Sequence, residues 1–218
     1  MLPQPYLTAM LLLDLDDTIF PTRSIPPERV QQIIDVCAEE LQPHFDPDQT
    51  AAIIAKLWHR PFDVVMQHFA VSTATQRTIA QRIRHLTFHL DLQAFPDYPH
   101  LLDLPFPRIL VTTGFTKLQE AKIAALGIAA DFEAIYIDDP TVAERRHKIG
   151  WFRTILARYQ VSPAACWVIG DNPDSELRAG KDLGMNTIQR LGAGVSPAPL
   201  ADHAIHSFAD LGAILRSA

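Results

Sequence analysis

The chain has 218 residues, of which 48% are hydrophobic and 20% charged, and its formal net charge is −6. This length allows one large domain or a domain with an insertion, and the composition is that of an ordinary globular protein. The negative charge argues against a nucleic acid polymer as the main partner. No apolar run is long enough to span a bilayer, so we expect no membrane partner.

The N-terminus and the cysteines bear on location. The first residues lack a basic region and a cleavage site, and Asp14 ends their apolar run, so we expect no signal peptide. Cys37 and Cys166 lie far apart in apolar contexts, which predicts buried free thiols in a reducing compartment. We therefore expect a cytoplasmic protein.

The first predicted element is a buried strand over residues 9–13, which runs directly into a cluster of acids. Asp14, Asp16 and Asp17 follow the apolar run, and Thr18 comes next. Acids at the carboxyl end of such a strand lie where open α/β sheets bind ligands. Like charges packed together need a positive partner, for which Mg²⁺ is suited. Taken alone, the same residues also fit a solvated acidic turn.

Residues 21–99 carry helical patterns and no strand signal, which predicts an all-helical insertion. Asp63 is the predicted cap of the third helix and Ser72 that of the fourth, which extends to Leu90. The predicted helices cover residues 28–42, 46–58, 63–69 and 72–90.

From about residue 100 onward, strands and helices alternate, which predicts a mostly parallel, doubly wound α/β sheet. The predicted domains are therefore an α/β core of residues 1–20 and 100–218 and a helical cap of residues 21–99. The predicted strands cover residues 108–113, 134–137, 166–170, 185–191 and 204–206. The predicted helices of this part cover residues 117–126, 148–159 and 175–183, with a last one from 209.

Four polar segments follow strands of this sheet or begin its helices. Because the carboxyl ends of parallel strands share one edge of the sheet, we expect these segments to converge. Each segment is a weak signal alone, but the four together, in this order, are specific. The residues concerned are Asp14 with Asp16 and Thr18, Thr112 with Gly114, Lys148, and Gly170-Asp171 with Asp174 and Glu176.

In these residues the chain resembles the haloacid dehalogenase-like superfamily of phosphohydrolases. Its first motif, Asp-x-Asp-x-Thr after an apolar strand, is matched by Asp14, Asp16 and Thr18, and its second by Thr112. Its lysine is matched by Lys148, beside Arg145 and Arg146, and its Gly-Asp by Gly170 and Asp171. The second acid of the last motif is open between Glu176, which stands where aspartate is usual, and Asp174. The helical insertion resembles the family's C1-type cap.

The resemblance implies a role for each matched residue. Asp14 would be the nucleophile that forms an aspartyl-phosphate, and Asp16 the acid and base that serves the leaving group and the attacking water. Lys148 and Thr112 would stabilise the transferring phosphoryl group. Asp14, Asp171 and the backbone carbonyl of Asp16 would hold Mg²⁺. We expect Asp17 and Thr18 to have structural roles, with the Thr18 hydroxyl tying the turn in place.

The sequence thus predicts a Mg²⁺-dependent phosphomonoester hydrolase that acts on a small phosphorylated metabolite through an aspartyl-phosphate. Phe20-Pro21 resembles the pyrimidine 5′-nucleotidase branch, so a nucleotide is one candidate substrate. The alternatives are a phosphomutase of the same superfamily, a non-catalytic phospho-accepting module resembling response-regulator receivers, and a silent binding protein. The candidate residues for substrate choice are Thr22, Arg23, His59, Arg60 and Phe62.

Overall fold

A computed structural model describes residues 9–57 and 60–216 and shows a six-stranded parallel sheet in the order β3-β2-β1-β4-β5-β6. The predicted doubly wound α/β fold is confirmed. β1 lies between β2 and β4, so the strand order reverses beside it, and open α/β sheets bind ligands at such a point. The strands are β1 Met10–Leu13, β2 Arg108–Thr113, β3 Ala134–Asp138, β4 Cys166–Gly170, β5 Asn186–Arg190 and β6 His203–Ile205.

β1 is buried on both faces because helices pack against both sides of the sheet. Leu11 and Leu13 point into one apolar cluster, which includes Phe208, while Met10 and Leu12 point into the other, which includes Phe152. Alternate residues of a strand face opposite sides, so the unbroken apolar run of this segment fits a central parallel strand.

The helices fall into two groups along the chain. The first group lies between β1 and β2: α1 Gln31–Leu41, α2 Pro47–Leu57, α3 Phe62–His68, α4 Thr73–Ile83 and the short α5 Pro99–Leu102. The second group alternates with the later strands: α6 Thr116–Leu126, α7 His147–Tyr159, α8 Arg178–Asp182 and α9 Leu211–Arg216. Helices α1–α4 enclose an apolar cluster of their own, and the side chains of Phe115 and Leu118 from the sheet-bearing part pack against it.

The predicted end of the fourth helix is wrong. Ser72 does cap it, since the backbone N–H of Thr75 donates to Ser72 Oγ at 3.1 Å, but α4 ends at Ile83 and not at Leu90. The segment 86–95 that follows is neither helix nor strand. Over residues 86–93 apolar residues alternate with polar ones and are the more buried of each pair, a period of two that favours an extended chain over a helix.

Asp63 does not cap the third helix. Pro61 is the residue before α3, and it makes no side-chain cap hydrogen bond. The carboxylate of Asp63 instead accepts two hydrogen bonds from Arg145, at 2.6 and 2.7 Å. An acid in the first turn of a helix fits both a cap and a tertiary ion pair, and here the ion pair prevails.

Both cysteines are buried and free, as predicted. In the part of the chain that the structure describes, no helix combines the length and apolar character needed to cross a membrane.

Arg145 joins the helical insertion to the sheet, and its removal tests that link. Its guanidinium binds Asp63 on α3 and Asp138 at the end of β3, and the side chain of Asp138 is only 1% exposed. Asp138 Oδ1 already lacks a partner among the described residues. We expect Arg145→Met to lower the free energy of unfolding by about 3 kcal/mol, because it leaves a buried carboxylate without its cation.

Urea unfolding measures this change, and Arg146→Met is the matched control. Arg146 is exposed and lies over the ring of Trp151 with 5.1 Å between its Cζ and the ring centroid, so we expect a loss below about 1 kcal/mol. Equal losses in the two variants would contradict the account of Arg145.

Candidate active site

The turn after β1 presents Asp14 at the carboxyl edge of the sheet. Its backbone N–H donates to the carbonyl of Ile169 on β4 at 3.0 Å, which continues the strand pairing to the point where the acid projects. The next residues turn sharply, with Asp17 in a left-handed conformation at φ 53°. Asp17 Oδ1 accepts a hydrogen bond from the backbone N–H of Thr22 at 2.9 Å and so braces the turn.

The prediction that the Thr18 hydroxyl ties this turn is wrong. Its Oγ1 is buried and has no hydrogen-bond partner within the described ranges. The brace is the carboxylate of Asp17, for which the sequence predicts a structural role without naming the contact. Asp and Asn tolerate positive φ and bond to nearby backbone N–H groups, a preference that fits this contact.

Three acids and one lysine meet beside β1. Carboxylate oxygens of Asp14, Asp171 and Glu176 lie within 4.8 Å of one another. Lys148 Nζ donates to Asp14 Oδ1 at 2.6 Å and to Glu176 Oε2 at 2.8 Å. Lys148 lies at the start of α7 and is 5% exposed, whereas its neighbours Arg145 and Arg146 point elsewhere. The lysine next to the proposed nucleophile is therefore Lys148.

Glu176, and not Asp174, is the second acid that reaches this cluster. It lies in a π-helical turn, Pro173–Leu177, that precedes α8, and is 1% exposed. Its Oε1 accepts a hydrogen bond from the backbone N–H of Asn172 at 2.7 Å. Asp174 is exposed, and its backbone N–H donates to Asn172 Oδ1. The metal role of Glu176 remains a prediction.

Asp16 has different partners from Asp14, although only one residue separates them. Its Oδ1 accepts from Lys122 Nζ at 2.7 Å and from Thr22 Oγ1 at 3.3 Å, and its Oδ2 accepts from Gln119 Nε2 at 2.9 Å. The same Gln119 nitrogen donates to Thr112 Oγ1 at 2.5 Å. Asp16 and Thr112 thus adjoin one another through Gln119.

Sequence reasoning missed Gln119 and Lys122. Both lie on α6 and are buried, at 0% and 5% exposure, three residues apart on one face of the helix. Polar residues at helical spacing usually mark a solvated face, so the pattern alone gave no reason to single them out. The signal available in the sequence was the position of these two residues on the helix that directly follows β2, the strand that carries Thr112.

The electrostatics of the cluster reflect an excess of negative charge. Burial raises the pKa of Asp14 to about 7, although Lys148 opposes this, and burial likewise raises the pKa of Asp171 to about 8. Burial alone would lower the pKa of Lys148, but the adjacent carboxylates of Asp14 and Glu176 hold it above its ordinary value. One ammonium group does not balance three carboxylates.

The donor set fits a divalent cation. Oxygen ligands converge at the sheet edge, and within residues 9–57 and 60–216 no donor hydrogen-bonds to the carboxylate of Asp171. A half-buried carboxylate that lacks a hydrogen-bond donor and lies beside two further acids is unfavourable without a cation. A bound divalent ion would offset the excess charge, and hard cations of this kind prefer carboxylate oxygen.

The candidate residues for substrate choice lie in different surroundings. Thr22 contacts Asp16, as above, and Arg23 and Arg60 are exposed. Phe62 is 4% exposed and packs edge-on against Phe115, with ring centroids 5.7 Å apart, so it joins α3 to the loop after β2. His59 lies outside the described residues.

Comparison with known proteins gives a family and a fold. A family model of haloacid dehalogenase-like hydrolases matches residues 9–184. No curated protein matches the chain.

Solved structures resemble the chain over nearly its whole length. A haloacid dehalogenase-like family hydrolase from Streptococcus pneumoniae is 19% identical with a TM-score of 0.64, covering 95% of this chain and 98% of that one. A HAD phosphatase from Thermococcus onnurineus is 17% identical with a TM-score of 0.58, covering 95% and 97%. A 2-haloacid dehalogenase from Pseudomonas syringae is 17% identical with a TM-score of 0.55, covering 96% and 98%. At these identities the likeness shows the fold alone.

Gly170 makes room for Glu176, which gives a test of this turn. A Cβ atom added at Gly170 would overlap the carboxyl group of Glu176. We expect Gly170→Ala to lower the free energy of unfolding by about 2 kcal/mol, because an overpacked buried site displaces its neighbours.

The unfolding midpoint in urea is the measurement, with Gly192→Ala as control. An added Cβ at Gly192 would meet Val195 Cγ2 at 3.6 Å, an ordinary contact, so its midpoint should change little. An unfolding midpoint of Gly170→Ala equal to that of the wild type would contradict this account, because it would show that the Glu176 side chain can move away from the added Cβ atom.

Proposed function

The chain belongs to the haloacid dehalogenase-like hydrolases, and on that basis we propose that it hydrolyses phosphomonoesters of a small metabolite with Mg²⁺ as cofactor. The observation that carries the proposal is the pair of acids after β1, in which Asp14 adjoins Lys148 and Asp16 adjoins Lys122. Two carboxylates in different surroundings suit two different roles, a nucleophile and an acid–base group.

Asp14 is the proposed nucleophile. Its carboxylate attacks phosphorus, the bond from phosphorus to the ester oxygen breaks, and an aspartyl-phosphate forms. Lys148, at 2.6 Å from Asp14 Oδ1, fixes the orientation of the carboxylate and offsets the repulsion between it and the substrate anion. The buried hydroxyl of Thr112 provides a donor for the phosphoryl oxygens.

Asp16 is the proposed acid and base. In its protonated form, with the proton taken up from solvent, Asp16 gives this proton to the departing alkoxide. The resulting carboxylate takes a proton from the water that attacks phosphorus in the aspartyl-phosphate, which releases phosphate, frees Asp14 and restores the acid. An acid at this position favours phosphatase over dehalogenase chemistry, since the dehalogenases of the superfamily lack it.

Asp14, Asp171 and the backbone carbonyl of Asp16 would hold Mg²⁺, with Glu176 as the adjacent acid. When bound, the ion supplies positive charge that screens the approach of one anion to another.

Residues 21–99 are the proposed lid over this site. The segment begins directly after the turn that carries Asp16, and α3 reaches the sheet-bearing part through Asp63 and Phe62. A closing lid excludes water and selects the leaving group. Phe20 is fully buried in the apolar core, so it gives no support to a nucleotide as the substrate.

Asp14→Asn tests the reaction. We expect wild-type protein to release phosphate from p-nitrophenyl phosphate with Mg²⁺, and Asp14→Asn to lower kcat by roughly 10³-fold or more, because the nucleophile is lost. Asp103→Asn, whose side chain is 80% exposed, is the control and should keep wild-type kcat.

Other outcomes of the same assay would indicate other functions. Isomerisation of a sugar phosphate without free phosphate would indicate a phosphomutase. A stable phosphoprotein without turnover would indicate a phospho-accepting module, and full activity in Asp14→Asn would contradict the mechanism.

Metal binding should depend on pH in a predictable direction. In the metal-free protein the raised pKa values of Asp14 and Asp171 stabilise the fold at low pH, and this contribution is lost as the pH rises through about 7 and 8. We expect Mg²⁺ at about 100 times its Kd to restore roughly 3 kcal/mol at pH 8.5, which corresponds to a Tm increase of about 5–10 °C. At pH 5.5 protons compete for the same oxygens, so the increase should be much smaller.

Thermal unfolding with and without Mg²⁺ measures this difference. Glu176→Gln should reduce the Mg²⁺-dependent shift at pH 8.5, while Asp174→Asn should keep it. A shift of equal size at both pH values would contradict the assignment of Asp14 and Asp171 as ligands.

A further inference from the structure

Gln119 is the one side chain in the described part of the chain that bonds both to Asp16 and to Thr112. Its Nε2 lies 2.9 Å from Asp16 Oδ2 and 2.5 Å from Thr112 Oγ1, with the carbonyl of Thr113 farther away at 3.3 Å. An amide nitrogen carries two hydrogens, so one serves the carboxylate and the other the hydroxyl. Gln119 therefore joins two groups that come from different strands.

The surrounding backbone is shaped to admit this side chain. A Cβ atom added at Gly114 would stand 2.9 Å from Gln119 Cδ, so the glycine allows the close approach. Gln119 is fully buried, and its Oε1 has no partner among the described residues. Burying an amide with an unsatisfied oxygen is unfavourable, which argues that the donors are kept for a purpose other than stability.

Lys122 holds the other oxygen of Asp16. It lies one turn further along α6, is 5% exposed, and its Nζ is 2.7 Å from Asp16 Oδ1. A buried lysine is rare without a paired acid. Both oxygens of Asp16 are thus bound to one helix, which restricts the carboxylate to one rotamer.

The bond from Gln119 also orients the Thr112 hydroxyl. Because Thr112 Oγ1 accepts from Gln119, its own hydrogen points away from Gln119 and is available as a donor. An available donor on a fully buried hydroxyl is what a phosphoryl oxygen at the sheet edge requires.

We infer that Gln119 and Lys122 are positioning residues that hold Asp16 and Thr112 in one catalytic arrangement. The inference rests on the proposed phosphatase function. Gln119 and Lys122 act on the reaction indirectly, since they set the direction in which Asp16 presents its carboxyl group to the leaving oxygen. Misplacement of a catalytic group by about 1 Å lowers rates by about 10²-fold.

Leaving-group dependence separates positioning from general support of the fold. An alkyl phosphate needs a proton on its departing oxygen, whereas p-nitrophenol departs readily without one. The ratio kcat/KM reports steps up to the formation of the aspartyl-phosphate. We expect Lys122→Met to lower kcat/KM for glycerol phosphate by about 30- to 100-fold, and that for p-nitrophenyl phosphate by less than about fivefold.

Three further variants complete the experiment. Lys122→Arg retains the cation. The ratio of its kcat/KM for the alkyl phosphate to that for the aryl phosphate should therefore be at least about a third of the wild-type ratio. Gln119→Met removes both donors at similar volume and should lower kcat/KM for both substrates, the alkyl one more, since it also frees Thr112. Lys117→Met, on the exposed face of α6 with a side chain 52% exposed, should equal wild type.

The outcomes are distinct. Equal losses for the two substrates, or none, in Lys122→Met and Gln119→Met would overturn the inference, and if one of these variants fails to fold the other decides. Failure of the wild-type protein to release phosphate from either substrate would overturn the proposed function and the inference with it. If the wild-type protein is active and both variants keep its ratio of kcat/KM for the two substrates, the inference is overturned and the proposed function stands.

Discussion

The buried bond between Lys148 and Asp14 is the interaction on which the rest of the site depends. Asp14 follows one of the two central strands and is only 7% exposed, so water solvates its charge poorly, and Glu176 and Asp171 bring further negative charge to the same edge. Lys148 reaches this edge from the first turn of α7. The remaining excess of negative charge is what the proposed cation would offset.

The two acids of the first motif differ in the lysine that each one contacts. Asp14 adjoins Lys148 from α7, and Asp16 adjoins Lys122 from α6, so helices on either side of β1 each supply one lysine. In an extended segment, residues two apart such as Asp14 and Asp16 would face the same side, and the turn after Asp14 breaks this relation. A single short segment can therefore carry both the proposed nucleophile and the proposed acid–base group.

Much of this arrangement could be predicted from the sequence because it depends on strand ends. The polar residues that end buried strands, Asp14, Thr112 and Asp171, are visible as sharp changes in an apolar run, and parallel strands bring them to one edge. Contacts that depend on helix rotation could not be predicted in this way. Gln119 and Lys122 look like ordinary polar helix residues until the packing of α6 shows that their face is buried.

The errors have a common physical origin, which is competition between local and tertiary partners. Asp63 suits a helix cap, yet a buried guanidinium binds it more strongly; Thr18 suits a turn brace, yet Asp17 takes that place. Leu86 and Leu90 continue the helical spacing of the fourth predicted helix, although apolar and polar residues over 86–93 alternate with a period of two. Local patterns state what a residue can do, and the fold selects among those options.

The segment between β3 and α7 connects the helical insertion to the candidate active site. Arg145 binds Asp63 of the insertion, and Lys148, three residues later, binds Asp14. His147, between them, has a φ of 54° that starts α7 in a fixed direction. A displacement of α3 would act on Arg145 and hence on the short stretch that carries Lys148. The proposed lid and the proposed nucleophile thus each form an ion pair with the same short stretch of chain, at positions three residues apart.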